Sequence, residues 1–242
     1  MKRYIAAGLI VFVGCAAAFA PAGLISRNVN ALNTDVALLD PRGTVWNGQA
    51  NVIAGGNPIG QINWQLSPWS LLLLNPSADW QLNGPSVELN GDVSGFSQVQ
   101  TRTNGELDLG LFSQLFNRYD MAIPGTITLH GVEIGIDVNS QFVNAADGYI
   151  EWSGGQVRYI LSGILSESFL PKMRANLSVA EQKPTAEVFA EGEPIRLMQA
   201  QVADNGFVKI GITKMFTKLL NRPWPGSDPD HAVVLEVEEQ LL

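Results

Sequence analysis

Two hydrophobic patterns run along this chain, and they meet near residue 25. From Tyr4 to Ile25 no residue is charged and most are apolar, behind Lys2 and Arg3. Beyond Ser26 apolar and polar residues alternate in short runs. A helix rises about 1.5 Å per residue, so residues 4–25 would reach roughly 33 Å, enough for a hydrocarbon core of about 30 Å. The later alternation has period two. That is the spacing of a strand with one face on a core and the other in water.

The alternating runs are numerous. Ile59–Leu66 places Gln61, Asn63 and Gln65 on one face and Ile62, Trp64 and Leu66 on the other. Val87–Val93, Leu107–Leu109, Ile127–His130, Ile134–Val138, Ala175–Val179 and Val233–Val237 repeat the pattern. Asn83-Gly84-Pro85, Asn90-Gly91-Asp92 and Asn104-Gly105 read as turns, because these residues tolerate positive φ. Asn205-Gly206 reads as a two-residue hairpin turn. Three short helices are expected. One opens at Ser67-Pro68 and runs through Leu74, with Ser67 as N-cap. The second covers Leu111–Tyr119, with Leu111, Leu115, Phe112 and Phe116 toward the sheet. The third covers Thr213–Asn221 and ends before Pro223. Residues 222–231, rich in proline, read as an ordered loop or linker.

The fold class is therefore mainly β. One N-terminal transmembrane helix precedes a predominantly antiparallel, twisted β-sheet body with a few short helices. The expected organisation is a cytoplasmic start (1–3), a transmembrane signal-anchor (4–25) and a periplasmic β-rich domain (26–242). The mostly one-sided alternation favours a single filled core over a groove.

Charge sets the orientation. Lys2 and Arg3 precede the apolar segment and Arg27 follows it, which favours the N-terminus inside and the body outside. In a bacterium that is a single-pass inner-membrane protein with its body in the periplasm. Two other readings stay open. Ala18-Phe19-Ala20 offers a cleavage site, followed by Pro21. Val13-Gly14-Cys15 partly fits a lipoprotein signal. Gly14, Ala18 and Ala22 share one helical face and form a candidate span-packing surface.

Without Lys2 and Arg3 the body has 13 basic and 23 acidic residues. Nucleic-acid binding runs on clustered cations and is disfavoured. Cys15 is the sole cysteine, so the body has no disulfide and no thiolate for a metal or a nucleophile. No phosphate loop, Gly-x-Ser-x-Gly or His-Glu-x-x-His is present. His130 and His231 are the two histidines, and His130 reads as structural rather than as a general base. Asp35 with Asp40, and Asp137 with Asp147, are weak carboxylate pairs. No catalytic residue, cofactor or metal is expected. Trp46, Trp64, Trp69 and Trp80 cluster in sequence. They read as packing under the first helix, with an exposed partner patch as the alternative.

Gly43-Thr44-Val45-Trp46-Asn47-Gly48-Gln49-Ala50 resembles the hallmark segment of type II (general) secretion pathway protein N. Ile62-Asn63-Trp64 and Ser67-Pro68-Trp69-Ser70-Leu71-Leu72 continue the likeness, and Trp152–Val157 and the acidic C-terminal strand are similar too. The resemblance implies a non-catalytic inner-membrane accessory of the machine that moves folded proteins across the outer membrane. Its partners would be other inner-membrane secretion proteins. Gly43 and Gly48 would serve a turn or close strand approach, and Trp46 would pack. The Gly-Thr-x-Trp-x-Gly pattern is also similar to segments of envelope proteins that form lipid-conducting β-grooves. Lipid binding or transfer in the envelope is therefore the second reading, and an envelope hydrolase a distant third.

Overall fold

Period-two alternation produces what it predicts, antiparallel strands with one apolar face. The computed structural model describes residues 18–32, 36–140, 142–161, 163–181, 183–203 and 207–240. The body expected over 26–242 divides into two compact units, with the boundary between Ser94 and Gly95.

The first unit is a meander of β1 (Val36–Gly43), β2 (Asn47–Ala54), β3 (Asn57–Leu66), β4 (Ser77–Gly84) and β5 (Val87–Ser94), paired in sequence order. Register puts Leu38 opposite Val52, and Ala50 opposite Ile62. Ile62 in turn faces Leu82, and Leu82 faces Leu89. The apolar side chains thus share one face, and the helix Gly23–Leu32 lies against it. Its Ile25 and Val29, with Ala22 just before it, pack on Leu38, Ala50, Val52 and Trp64. Asn30 fixes the helix to the edge strand. Its Nδ2 donates to the Leu38 carbonyl and its Oδ1 accepts from the Leu38 N–H at 2.7 Å. Both groups lie on β1, so a side-chain amide satisfies part of the sheet edge.

The end of the expected membrane span belongs to this unit. Pro21 bridges Thr44, and the Ala22 N–H donates to the Gly43 carbonyl at 3.1 Å. Ala22 is 1% exposed. It is a core residue of the sheet body, because the apolar run continues without a break into the apolar face of the helix. Ala18 is exposed. Gly14, Cys15 and the rest of residues 4–17 lie outside the described residues. Among the described residues no helix is long and apolar enough to cross a membrane.

In the second unit the larger sheet runs β6 (Gln98–Asp108), β8 (Thr126–Asp137), β9 (Val143–Trp152), β12 (Met173–Ala180), β13 (Lys183–Ala190), β14 (Arg196–Val202), β15 (Phe207–Thr213) and β16 (Val233–Gln240). A smaller sheet has the order β11 (Ile164–Leu170), β10 (Gly155–Leu161) and β7 (Met121–Ala122). The chain changes sheets at Ser153-Gly154, where Gly154 has φ 78° and a Cβ would lie 2.7 Å from the Leu170 carbonyl oxygen. The two sheets share a core of Val157, Leu170, Met173, Ala190 and Leu197. Among the described residues there is thus one buried cluster in each unit rather than a single filled core.

Two expected turns lie inside strands. Asn90-Gly91-Asp92 is part of β5, where Gly91 stands opposite Trp80. Asn104-Gly105 is part of β6 at a register shift against β8. There β8 carries one extra residue. Ile127 and Leu129 precede the shift and Val132 and Ile134 follow it, so a bulge keeps odd and then even positions on one face. Gly131 takes φ 56° there, and its N–H donates to Asn104 Oδ1 at 2.7 Å.

The helices are shorter than expected. Pro68–Leu72 has Ser67 at its N-cap position without a side-chain cap. A 3-10 turn, Leu109–Phe112, precedes the helix Ser113–Arg118. Phe112 and Leu115 point outward rather than toward the sheet, and Leu109 is the buried residue. The third helix is Lys214–Leu219. Residues 222–231 form an ordered loop on it, where the buried Lys214 ammonium donates to the carbonyls of Gly226 at 2.6 Å and Asp228 at 3.0 Å.

Candidate functional site

The segment 43–48 joins β1 to β2 and is built around backbone geometry. Gly43 has φ 87°, and a Cβ there would meet the Asn47 carbonyl oxygen at 2.5 Å. The Thr44 N–H donates to that same carbonyl at 2.9 Å, and Thr44 Oγ1 accepts from the Asn47 N–H at 3.2 Å. Gly48 leaves room for an indole, since its Cβ would fall 2.5 Å from Trp64 Cζ2. Trp64 lies over it, buried, and its Nε1 donates to the Val45 carbonyl at 3.2 Å. Across four strands the row reads Gly48, Trp64, Trp80, Gly91, with each large ring beside a glycine. Trp46 is half-buried. Trp69, by contrast, packs on nothing of this core and is 75% exposed. The four tryptophans therefore divide between packing and display.

The densest polar group lies on the second unit. His130, Tyr149, Glu151 and Arg174 come from β8, β9 and β12, and their registers place them on one face. His130 stacks on Tyr149 at 4.5 Å, and the Arg174 guanidinium sits 4.2 Å from the Tyr149 ring centre. Glu151 receives Lys172 Nζ at 2.8 Å and Arg174 at 2.9 Å. Hydrogen bonds from Lys172 and then Arg174 lower the Glu151 pKa to about 2. A carboxylate so held is ionised at neutral pH and is no proton donor there. His130 Nε2 is 3.4 Å from Glu151 Oε2 and, shielded from solvent, makes no hydrogen bond. The arrangement ties three strands together.

The opposite face of this sheet is apolar. Met198, Ala200, Ile210, Ile212, Leu235 and Val237 line it through β14, β15 and β16. Leu235 and Val237 stay 42% and 40% exposed. At one end an open groove of about 490 Å³ is lined by Phe142, Val143, Val179, Pro184 and Val202, with Lys183 and Glu181 beside them.

Other residues singled out by sequence are not brought together. Asp137 is committed to the β8–β9 hairpin, where Ser140 and Asn139 N–H groups donate to it and lower its pKa. Asp147 pairs with Glu133, four positions along the strand from Asp137 and so about 13 Å away. Asp35 lies outside the described residues. Among the described residues no group of three or more His, Cys, Asp or Glu could hold a metal ion. The Glu151 clasp was not legible in the sequence, because cross-strand neighbours depend on register. Its only signal was a polar residue at every second position.

The geometry defines a two-unit antiparallel β protein whose distinctive features are surfaces and strand junctions. A family model for type II secretion system protein N matches residues 34–219, across both units. The chain belongs to that family, and so to the components of the type II secretion system in the cell envelope. No curated protein and no solved structure matches it.

Proposed function

We propose that the protein is a non-catalytic inner-membrane component of the type II secretion system. It is held by a single N-terminal span and acts through protein–protein contacts in the periplasm. The observation that carries this reading is the family match over both β units. The uncharged, mostly apolar run behind Lys2 and Arg3 supports the membrane attachment. The candidate contacts are sheet edges and the helix face bearing Gly14 and Ala18. The test is purification of the tagged protein from its own host in mild detergent, with mass spectrometry of proteins and lipids. Enrichment of inner-membrane secretion proteins over abundant membrane proteins is the expected result.

A second reading is favoured by one observation, the half-exposed apolar face and end groove of the second unit. That face suits an acyl chain. A stoichiometric lipid without secretion proteins would overturn the first reading and favour a lipid-binding protein of the envelope.

A further inference from the structure

The connection between β3 and β4 holds three large apolar side chains out into solvent. Trp69, Leu73 and Leu74 are 75%, 80% and 79% exposed. The loop beneath them is well built. Ser70 Oγ donates to the Ser67 carbonyl at 2.7 Å and accepts from the Ser77 N–H at 2.9 Å. The Asn75 N–H donates to the Ser70 carbonyl, and the Leu74 N–H to the Leu71 carbonyl. Leu74 takes φ 57°, an unfavourable conformation for leucine. Much of the loop's backbone bonding is thus met internally while its apolar side chains face outward. Contact with lipid requires that combination.

Two further observations choose the occupant. No charged residue occurs between Arg42 and Asp79, so the loop and its neighbours in sequence offer nothing that resists a bilayer. The loop also sits at the end of the sheet where the N-terminal chain arrives. Asn47 pairs with Gln65, and the Leu66 N–H donates to the Trp46 carbonyl at 2.7 Å, so the β1–β2 and β3–β4 connections are neighbours. The β1–β2 connection is also where Ala20 and Ala22 are bonded, to Val45 and Gly43. The uncharged segment therefore joins the body beside Trp69, Leu73 and Leu74. Tryptophan with leucine at such a place suits the boundary between headgroups and acyl chains.

We propose that residues 67–76 are a second membrane contact, dipping Trp69, Leu73 and Leu74 into the bilayer interface and seating the first unit against it. This rests on the N-terminal segment being membrane-embedded. The full-length chain is reconstituted in phosphatidylethanolamine–phosphatidylglycerol vesicles carrying spin-labelled lipids. An environment-sensitive fluorophore is placed on native Cys15, or on Leu74→Cys or Asn57→Cys in a Cys15→Ser background. The expected result is a blue shift at position 74 and at least twofold quenching by shallow lipid spin labels. Position 57, at the far end of β3, stays aqueous, and position 15 is quenched by deep labels. Deep quenching at 15 with an aqueous 74 overturns the proposal and leaves the anchor standing. An aqueous 15 overturns both. A position 74 that is aqueous in vesicles yet shielded from soluble thiol reagents in native membranes assigns the loop to a protein partner, and overturns the lipid contact.

Discussion

The two units use the same alternation and finish it differently. In the first, a helix covers the apolar face at β1, β2 and β3, and Leu38, Ala50, Val52 and Trp64 are buried beneath it. In the second, the small sheet and the helix Lys214–Leu219 cover only the part of the apolar face around Leu197, while β15 and β16 keep theirs half open. Period two specifies which side chains share a face. It does not specify what covers that face. Coverage comes from segments with a different period, here a helix whose apolar residues recur every three to four positions.

The sharpest way to break the closed unit is at the glycine–tryptophan row. Trp64→Ala removes the largest side chain of the cluster and should cost about 3–5 kcal/mol. Gly48→Val should be comparably damaging, because its side chain would enter the Trp64 ring. Hydrogen exchange of β2 and β3 amides in the full chain checks both. Protection should collapse in β2 and β3 and persist in β12 and β13. A uniform loss over the whole chain would show that the two units do not unfold separately.

In the second unit the strongest single dependence is Lys214. Its buried ammonium replaces water with two carbonyls of the loop 222–231. Lys214→Met leaves those carbonyls without their donor and should cost about 1.5–3 kcal/mol, the range for hydrogen bonds to charged groups. Urea unfolding measures the loss, and limited proteolysis near Pro225 should accelerate. An unchanged cleavage rate would mean that the other contacts hold the loop, among them Lys218 with Asp230.

Much of this architecture was legible in the residues. The runs at Ile59–Leu66, Val87–Val93 and Ala175–Val179 alternate cleanly, and each is a strand. Asn90-Gly91 misled because its asparagine and glycine also mark turns. In β5 the glycine stands within the strand, opposite Trp80. Ala22 misled for another reason. Apolar composition does not distinguish a lipid-facing helix from the start of a core, and only the contact with Gly43 separates them. Trp69 reads like its three neighbours in sequence, yet it faces solvent from the short helix Pro68–Leu72. Lys214 carried no signal, since a buried lysine looks like any other until its carbonyl partners are placed.

The Glu151 clasp ranks below these and should respond to acid. Its folded pKa, about 2, lies below the ordinary value of 4.5. The carboxylate therefore binds protons more readily in the unfolded chain. Its contribution is fully present above pH 4.5 and is lost as pH falls from there toward 2. Unfolding of the second unit, followed between pH 6 and pH 2.5, should show this loss. Glu151→Gln should flatten the profile in that window. An unaltered profile would assign the acid sensitivity to other carboxylates.

The smallest effect is expected where the comparison is most telling. Leu235 and Val237 belong to the same pattern as Leu38 and Val52, but nothing among the described residues closes over them to a comparable degree. Leu235→Ser and Val237→Ser should shift the stability of the isolated protein by only about 0.5 kcal/mol, as surface changes do. Val52→Ser, in the covered unit, removes a buried side chain worth about 1.5–3 kcal/mol and leaves a hydroxyl in its place. If the β16 substitutions prove as costly as the β2 one, the face is closed in solution by a second copy or a bound lipid. Repeating the measurement at tenfold dilution, and again after delipidation, separates those two. If the costs differ as expected, retention of secretion proteins by the β16 variants would measure how much of the open face serves partners rather than folding.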